Sequence, residues 1–192
     1  MTSPAPTFSS SHRLCARCER AACLCALLPE QPVAHEAELL ILQHPDERLQ
    51  AKGTAPLLRL GLANCKVQVG EVFEPPQDGR LNVLLYPGSP TSPSRLPAPK
   101  HVRLIVLDGT WRQSRKLMLA NPWLANLPRL ALDDVEPARY AELRRAHRPG
   151  QLSTLEASLL ALQRLEAEQD FEPLWQSFER FISMRSALQA RP

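Results

Sequence analysis

Three long apolar runs, each ended by a polar or turn residue, constrain the fold of this chain more than any other feature. They cover residues 37–45, 81–88 and 102–109 and end in His-Pro, Pro-Gly and Asp-Gly, respectively. Runs of this kind, rich in leucine, isoleucine and valine, are typical of strands buried on both faces. Because helical patterns separate them, we predict an α/β fold with a mostly parallel sheet, in which ligands bind beyond the carboxyl ends of the strands.

Weaker patterns predict the elements around these strands. Alternating apolar residues predict a strand over 66–73, and a short apolar run predicts another over 129–132. Helices are predicted over 54–63, 111–120 and 171–188, the second of them ended by Asn121-Pro122. A further helix is predicted to begin at Ser153, which forms the sequence of a capping box with Glu156.

Four of the five cysteines lie in one segment, "CARCERAACLC", with the spacing C-x2-C-x4-C-x-C. In a cytosolic protein, clustered thiols are more often metal ligands than disulfides. We predict a structural Zn²⁺ site, with an iron–sulfur cluster as the alternative, whose ligands are Cys15, Cys18, Cys23 and Cys25. Because four thiolates leave no open position, this site is expected to stabilise a knuckle over residues 13–30 and not to carry out chemistry. Arginines that could reach an RNA backbone surround it, namely Arg13, Arg17 and Arg20.

Composition bounds the class of protein. The chain has 192 residues, of which 44% are hydrophobic, enough for one ordinary domain with a small appendage. Its net charge of +3 does not establish a nucleic-acid partner, and each local cluster of cations, taken alone, is also consistent with a solvated helix face. We find no membrane helix and no signal peptide, and therefore expect a soluble cytoplasmic protein. Residues 1–12 are expected to be disordered.

The fifth cysteine, Cys65, lies apart from the other four and is expected in the core.

The loops after the predicted strands form the candidate site. The sequence has no glycine-rich nucleotide-binding motif and none of the usual hydrolase motifs. It offers a Pro87-Gly88 turn that a ligand can approach closely, Asp108 as a carboxylate suited to proton abstraction, and Trp111 as a plane for stacking. Each residue type also has a structural interpretation. Trp111 would be a core residue, Asp108 a helix N-cap, His44 a turn residue, and Ser153 and Thr154 plain capping residues.

Together these motifs resemble the DTW-domain family of tRNA-uridine aminocarboxypropyltransferases. The D-x-T-W signature is present at residues 108–111, followed by the basic "RQSRK". The cysteine knuckle, the "YPG" loop at 86–88 and the "LSTLEA" segment at 152–157 occur in the order of the family. An "HPxE…T" segment matches His44, Pro45, Glu47 and Thr54, but Gly53 stands where the family usually has asparagine. The resemblance spans roughly residues 13–186.

The resemblance implies a SPOUT-type sheet with a C-terminal trefoil knot in residues 31–192, the catalytic domain, which holds S-adenosylmethionine in a bent shape. The pocket would be formed by the loops 86–89, 107–111 and 150–156. Within them, the residues expected to bind this co-substrate are Pro87, Gly88, Leu107, Thr110, Trp111, Leu152, Ser153, Thr154 and Glu156.

The implied activity is transfer of the 3-amino-3-carboxypropyl group to N3 of a uridine in tRNA, with Asp108 as the base. RNA contacts are expected from a set of basic residues, namely Arg13, His44, Arg112, Arg115, Lys116, Arg144, Arg145 and Arg148. Two alternatives stay open at this stage. The first is a SPOUT-like RNA methyltransferase that uses the same donor, and the second is a non-catalytic RNA-binding module built on the knuckle. No membrane partner is expected, and the sequence does not decide between a monomer and a homodimer.

Overall fold

Five strands form one sheet in the computed structural model, which describes residues 14–88, 96–132 and 152–189. They are β1 (Glu38–Gln43), β2 (Cys65–Val69), β3 (Leu81–Leu85), β4 (Val102–Asp108) and β5 (Arg129–Leu130). Their order is β2-β1-β4-β3-β5, and every neighbouring pair is parallel. The prediction of an α/β fold with a parallel sheet is confirmed.

Helices cover both faces of this sheet, which is why its central strands are apolar on both sides. The helices are α1 (Ala55–Gly61), α2 (Trp111–Ala120), α3 (Thr154–Leu165) and α4 (Glu172–Gln189). One core joins the sheet to α1, α3 and α4, and a second core joins it to α2 and the 3-10 turn Pro122–Asn126. Every residue of β1 and β4 is buried, as expected for strands enclosed on two faces. Among the helices described, none has the length and apolar character needed to cross a membrane.

The observed boundaries differ from the sequence-based ones mainly at β2. This strand ends at Val69, and the prediction that it continues to residue 73 is wrong. Beyond Gly70 the chain turns towards the end of α2, where Asn121 Oδ1 accepts a 2.7 Å hydrogen bond from the backbone N–H of Phe73. Phe73 is 9% exposed and belongs to the second core. The apolar alternation in this segment therefore reflects packing of a loop and not strand pairing.

The amino-terminal end of the sheet carries a cluster of charges. Glu38 and Arg103 are register partners on β1 and β4, and both are buried. The Arg103 guanidinium donates through Nε to Glu38 and through Nη2 to Asp78. Lys66 and Arg80 also contact the Glu38 carboxylate, at 2.8 and 3.0 Å. This ion cluster lies at the end of the sheet opposite to the candidate site.

Some predictions concern positions outside the described residues. These are the disorder of residues 1–12, residue 89 of the loop 86–89, residues 150 and 151 of the loop 150–156, and the basic residues Arg13, Arg144, Arg145 and Arg148.

Candidate active site and metal centre

A cavity of about 380 Å³ opens at the carboxyl ends of β3 and β4. Its wall comes from three segments that are distant in sequence, namely residues 85–87, 106–114 and 152–157, with a contribution from β5 and Leu132. These are the three loops predicted to form the pocket. The predicted co-substrate residues in the wall are Pro87, Leu107, Thr110, Trp111, Leu152, Ser153 and Thr154. Gly88 and Glu156 do not line it.

Asp108 lies directly behind this wall. It is 5% exposed, and each of its carboxylate oxygens accepts a hydrogen bond. The Thr154 hydroxyl donates to Oδ1 at 2.5 Å, and the Gln43 side-chain amide donates to Oδ2 at 2.6 Å. Thr154 is also one of the residues that line the cavity. In this arrangement the Asp108 carboxylate bonds to a residue of the cavity wall.

The α2 helix begins at the cavity with a capping box made by Thr110 and Gln113. The Thr110 hydroxyl oxygen accepts from the Gln113 backbone N–H at 3.3 Å, and the Gln113 side-chain oxygen accepts from the Thr110 backbone N–H at 2.7 Å. The interpretation of Asp108 as the N-cap of this helix is therefore wrong. The Asp108 carboxylate bonds to other strands and helices and not to the first turn of α2.

Trp111 is half-exposed, with 49% of its surface accessible, so the interpretation of this residue as core is also wrong. Its indole meets the Tyr86 ring edge-on, with the ring centroids 6.1 Å apart. The Arg129 guanidinium lies over the Tyr86 ring at 5.6 Å from the ring centroid. An aromatic surface that is open to solvent at a cavity mouth is suited to stacking on a nucleobase or an adenine.

The first turn of α3 is capped as the sequence predicts. The Ser153 hydroxyl accepts from the Glu156 backbone N–H at 3.2 Å, and Glu156 accepts from the Ser153 backbone N–H at 2.7 Å. Glu156 is buried and uses its carboxylate for this cap. The predicted contact between Glu156 and the co-substrate therefore has no support in the cavity geometry, whereas Ser153 both caps the helix and lines the cavity.

A basic surface continues from the cavity mouth along α2. Its three cations are exposed and lie at i, i+3 and i+4, which places them on one face of the helix: Arg112, Arg115 and Lys116. The face they share begins beside Trp111. This is the arrangement predicted from the spacing of the residues.

The knuckle cysteines converge on one point. The Sγ atoms of Cys15, Cys18, Cys23 and Cys25 all lie within 4.8 Å of one another. Three of the Sγ–Sγ distances are 3.5, 3.8 and 3.9 Å. A tetrahedral ion with Zn–S bonds of about 2.3 Å requires about 3.8 Å between sulfurs. Backbone hydrogen bonds at Cys18 and Arg17 lower the pKa of the Cys15 thiol to about 6, whereas burial raises the pKa of the Cys25 thiol to about 12, so the support for a metal comes from the sulfur spacing. The four side chains thus fit a metal ion.

Cys65 differs from these four. It begins β2, packs against the first core, and burial raises the pKa of its thiol to about 12. The expectation that it is a core residue is confirmed, although its side chain is only partly buried.

A family model described as DTW domain matches residues 12–186. The chain belongs to the DTW domain family. It is similar to the "tRNA-uridine aminocarboxypropyltransferase 2" of Macaca fascicularis, with 32% identity over 168 residues that cover 79% of this chain and 56% of the relative. The protein of that name from Drosophila melanogaster is 32% identical over 170 residues, which cover 80% of this chain and 66% of the relative. The "tRNA-uridine aminocarboxypropyltransferase A" of Arabidopsis thaliana is 27% identical over 135 residues, or 57% of this chain and 51% of the relative.

This DTW domain therefore spans between about half and two thirds of the length of these curated relatives. No solved structure shows significant similarity to it.

The DTW signature itself forms the junction between β4 and α2. Leu107, Gly109, Thr110 and Trp111 line the cavity, whereas the Asp108 side chain turns to the face of the sheet that α3 covers. Gln43, the register partner of Asp108 on β1, was missed by sequence reasoning. Gln43 could have been noticed as a polar residue at the end of a buried strand. The sequence does not show, however, which strand pairs with β1 and in which register.

The loop that connects β1 to α1 also surrounds Asp108. We call residues 44–54 the 44–54 loop. It begins at His44, whose backbone N–H donates to the Asp108 carbonyl at 3.0 Å. Burial and the negative charge of Asp108 raise the pKa of the loop residue Glu47. Thr54 ends the loop, and its hydroxyl accepts from the backbone N–H of Leu155 at 3.2 Å.

His44 is 4% exposed, and its side chain performs a turn function. Its Nδ1 accepts from the backbone N–H of Asp46 at 3.3 Å and caps the 3-10 turn Pro45–Glu47. Its Nε2 lies 3.3 Å from a carboxylate oxygen of Glu71. The interpretation as a turn residue is confirmed. The proposed RNA contact of His44 would require this buried ring to become accessible.

The position of Arg20 also differs from the one expected from the sequence. We expected it near an RNA backbone, but it is 6% exposed and extends from the knuckle into the 44–54 loop. Gly53, in the 44–54 loop, borders the Arg20 guanidinium. A Cβ atom at Gly53 would lie 3.0 Å from Arg20 Nη2. Gly53 therefore leaves room for a buried guanidinium.

Proposed function

We propose that this DTW domain transfers the 3-amino-3-carboxypropyl group of S-adenosylmethionine to N3 of a uridine in tRNA. Support comes from the names of the curated relatives, which describe tRNA-uridine aminocarboxypropyltransferases. The observation that carries the proposal is the cavity at the carboxyl ends of β3 and β4, whose wall is built from residues of the D-x-T-W, "YPG" and "LSTLEA" segments. A tRNA substrate would also agree with the expected cytoplasmic location.

We further propose a SPOUT-type fold with a C-terminal trefoil knot. The parallel sheet and the meeting of three distant loops at one cavity support this assignment. The chain between Leu132 and Leu152, which would complete the knot, lies outside the described residues.

The cavity is suited to hold S-adenosylmethionine. A volume of about 380 Å³ is within the usual range for a small-molecule site, and its wall combines apolar side chains with hydroxyls. Apolar contacts would come from Leu85, Leu107, Leu130 and Leu152, and hydrogen bonds from Ser114, Ser153 and Thr154. Trp111 and Tyr86 would supply the aromatic surface at the mouth.

When bound, S-adenosylmethionine supplies an electrophilic methylene in its amino-acid arm, so that the N3–C bond forms as the C–S bond breaks and methylthioadenosine leaves. The task left to the protein is to orient the two reactants and to accept the N3 proton. We assign the proton to Asp108, by way of the Thr154 hydroxyl. Thr154 would take the proton from N3 while giving its own to Asp108 Oδ1, to which it already donates at 2.5 Å.

Incubation of the protein with S-adenosylmethionine and unmodified tRNA tests the reaction directly. Nucleoside mass spectrometry should detect a uridine carrying an aminocarboxypropyl group, and the small-molecule product should be methylthioadenosine. A methylated nucleoside with S-adenosylhomocysteine would instead establish the methyltransferase alternative. Absence of donor binding by calorimetry would favour the non-catalytic RNA-binding module.

We propose that tRNA approaches along α2. Three changes made together, Arg112→Gln, Arg115→Gln and Lys116→Gln, should weaken tRNA binding most at low salt. Release of counterions from phosphates favours binding most at low salt, and each lost phosphate contact removes part of that release. The slope of log affinity against log salt should become shallower by about 2 to 3. Filter binding over a salt series measures this slope. Lys100→Gln is the control, since it removes an exposed cation at the opposite end of β4. An unchanged slope in the triple variant would show that RNA does not lie on α2.

We also propose that residues 13–30 bind one Zn²⁺ as a unit distinct from the catalytic domain over 31–192. The convergence of four sulfurs at tetrahedral spacing supports a closed site. When bound, zinc would supply structural stabilisation of the knuckle, since four cysteine ligands leave no position for a substrate.

A further inference from the structure

The knuckle inserts one charged side chain into the body of the protein. Arg20 lies between the second and third cysteines, and its guanidinium is buried. Nη1 donates to the carbonyl oxygen of Gln50 at 2.8 Å, in the middle of the 44–54 loop. The backbone of Arg20 meanwhile closes the knuckle, because its carbonyl accepts from the N–H of Cys15 at 2.9 Å. One residue thus joins the metal-binding fold to this loop.

The 44–54 loop lies between two segments that are close to the Asp108 carboxylate. Gln43, which directly precedes the loop, donates to Oδ2. Thr54, which ends the loop, accepts from Leu155, the neighbour of the Oδ1 donor Thr154. The loop is therefore joined at one end to a donor to the carboxylate and at the other end to the neighbour of the second donor.

The contact between Arg20 and the loop is tight and incompletely paired. A Cβ atom at Gly53 would lie 3.0 Å from Nη2 and 3.1 Å from the Gln50 carbonyl, so a larger residue would require the guanidinium or this carbonyl to shift by a few tenths of an ångström. Within the described residues, Nη2 is buried and has no hydrogen-bond partner. Burial of an incompletely paired cation has a free-energy cost, which other interactions of the folded protein must offset.

We propose that Arg20 is a positioning residue for Asp108, through which the metal knuckle holds the 44–54 loop in its catalytic arrangement. The inference rests on the proposed role of Asp108 as proton acceptor. It gives the knuckle a part in catalysis without contact between the metal and the substrate. It also gives a physical reason for glycine at position 53.

Two variants test this inference from opposite sides of the contact. Arg20→Gln removes the charge from the knuckle side, and Gly53→Ala displaces the guanidinium from the loop side without changing the knuckle. Each should lower kcat for tRNA modification by about tenfold or more, because small displacements of a catalytic group have large effects on rate. The KM for tRNA, the affinity for S-adenosylmethionine and the zinc content should stay within twofold of the parent. Arg20→Lys, which keeps the charge, should recover part of kcat.

Matched controls lie in the same two segments. Glu30→Gln removes an exposed charge from the knuckle, and Lys52→Ala changes an exposed side chain of the 44–54 loop. Both should retain kcat. If Arg20→Gln loses zinc or unfolds, Gly53→Ala decides the question.

The inference would be overturned if Gly53→Ala, or a folded Arg20→Gln that keeps its zinc, retained kcat. It would also be overturned if the effect were confined to the KM for tRNA, or if kcat fell in parallel with the affinity for S-adenosylmethionine. Full activity of Asp108→Asn would instead reject the proposed role of Asp108, so the two failures are distinguishable.

Discussion

Replacing Asp108 by asparagine should reduce the rate of tRNA modification by about 100-fold or more while S-adenosylmethionine still binds. Asparagine keeps the size and polarity of the side chain but does not accept a proton at neutral pH. The Gln43 amide can reverse its orientation to meet the new amide group, so the buried hydrogen bonds that now reach the carboxylate at 2.6 and 2.5 Å can be re-formed. Single-turnover rates of nucleoside formation, with calorimetry for donor binding, separate the chemical step from the binding step.

Variants of Thr154 distinguish a proton relay from direct transfer to Asp108. Thr154→Ser keeps the hydroxyl that donates to Asp108 and should retain most of the rate, whereas Thr154→Val removes it and should lose most of the rate. Asp78→Asn is a control, because it neutralises a carboxylate at the opposite end of the sheet. A fully active Asp108→Asn variant would eliminate Asp108 as the base. Loss of S-adenosylmethionine binding in Asp108→Asn would show that the carboxylate is needed to form the pocket.

The sequence was most informative where local chemistry determines the structure. The α2 helix has the predicted bounds, Trp111–Ala120, because a capping box opens it and Asn121-Pro122 ends it. The central strands were also identified, since enclosure on two faces leaves a continuous apolar run. The meeting of the loops after β3 and β4 followed from the rule that parallel strands place their carboxyl ends at one edge. The third pocket loop, 150–156, was expected only from the resemblance to the DTW-domain family.

The sequence was least informative where contacts join distant segments. The Asp108 carboxylate bonds to Gln43 on β1 and Thr154 on α3, so Asp108 lies behind the cavity wall and not in it. Its partner Gln43 depends on the register between β1 and β4, which no local pattern encodes. Arg20 looked like a surface cation because buried arginines are rare, and only its contact with the 44–54 loop shows otherwise.

The largest expected effect on stability comes from Glu38 at the other end of the sheet. This carboxylate is 2% exposed and serves three cations, Arg103, Lys66 and Arg80. Glu38→Gln keeps the shape but leaves the buried Arg103 with an incomplete set of partners. We expect the free energy of unfolding to fall by about 3 to 5 kcal/mol, as for other buried ion pairs from which one member is removed. Urea titration followed by circular dichroism measures the change.

The same cluster should make the protein acid-sensitive. Burial alone would raise the pKa of Glu38, but hydrogen bonds from Arg103 and Lys66 outweigh burial and lower it. The hydrogen bond from Arg103 lowers the pKa of Asp78 from 3.8 to about 2. A carboxyl group whose pKa is depressed by folding stabilises the folded state above its unfolded pKa and loses that effect as the pH falls towards the folded pKa. For Asp78, this stabilisation should therefore be lost between pH 3.8 and about 2.

Two further variants show whether the cost of Glu38→Gln arises from an unpaired buried charge. Asp78→Asn breaks a contact to the same arginine, but at a side chain that is 44% exposed, so its effect on the free energy of unfolding should be much smaller than that of Glu38→Gln. The double variant Glu38→Met/Arg103→Met removes both buried charges and should recover most of the stability that the single change loses. A double variant that is less stable than Glu38→Gln would mean that the ion pair itself, and not the avoidance of an unpaired charge, stabilises this end of the sheet.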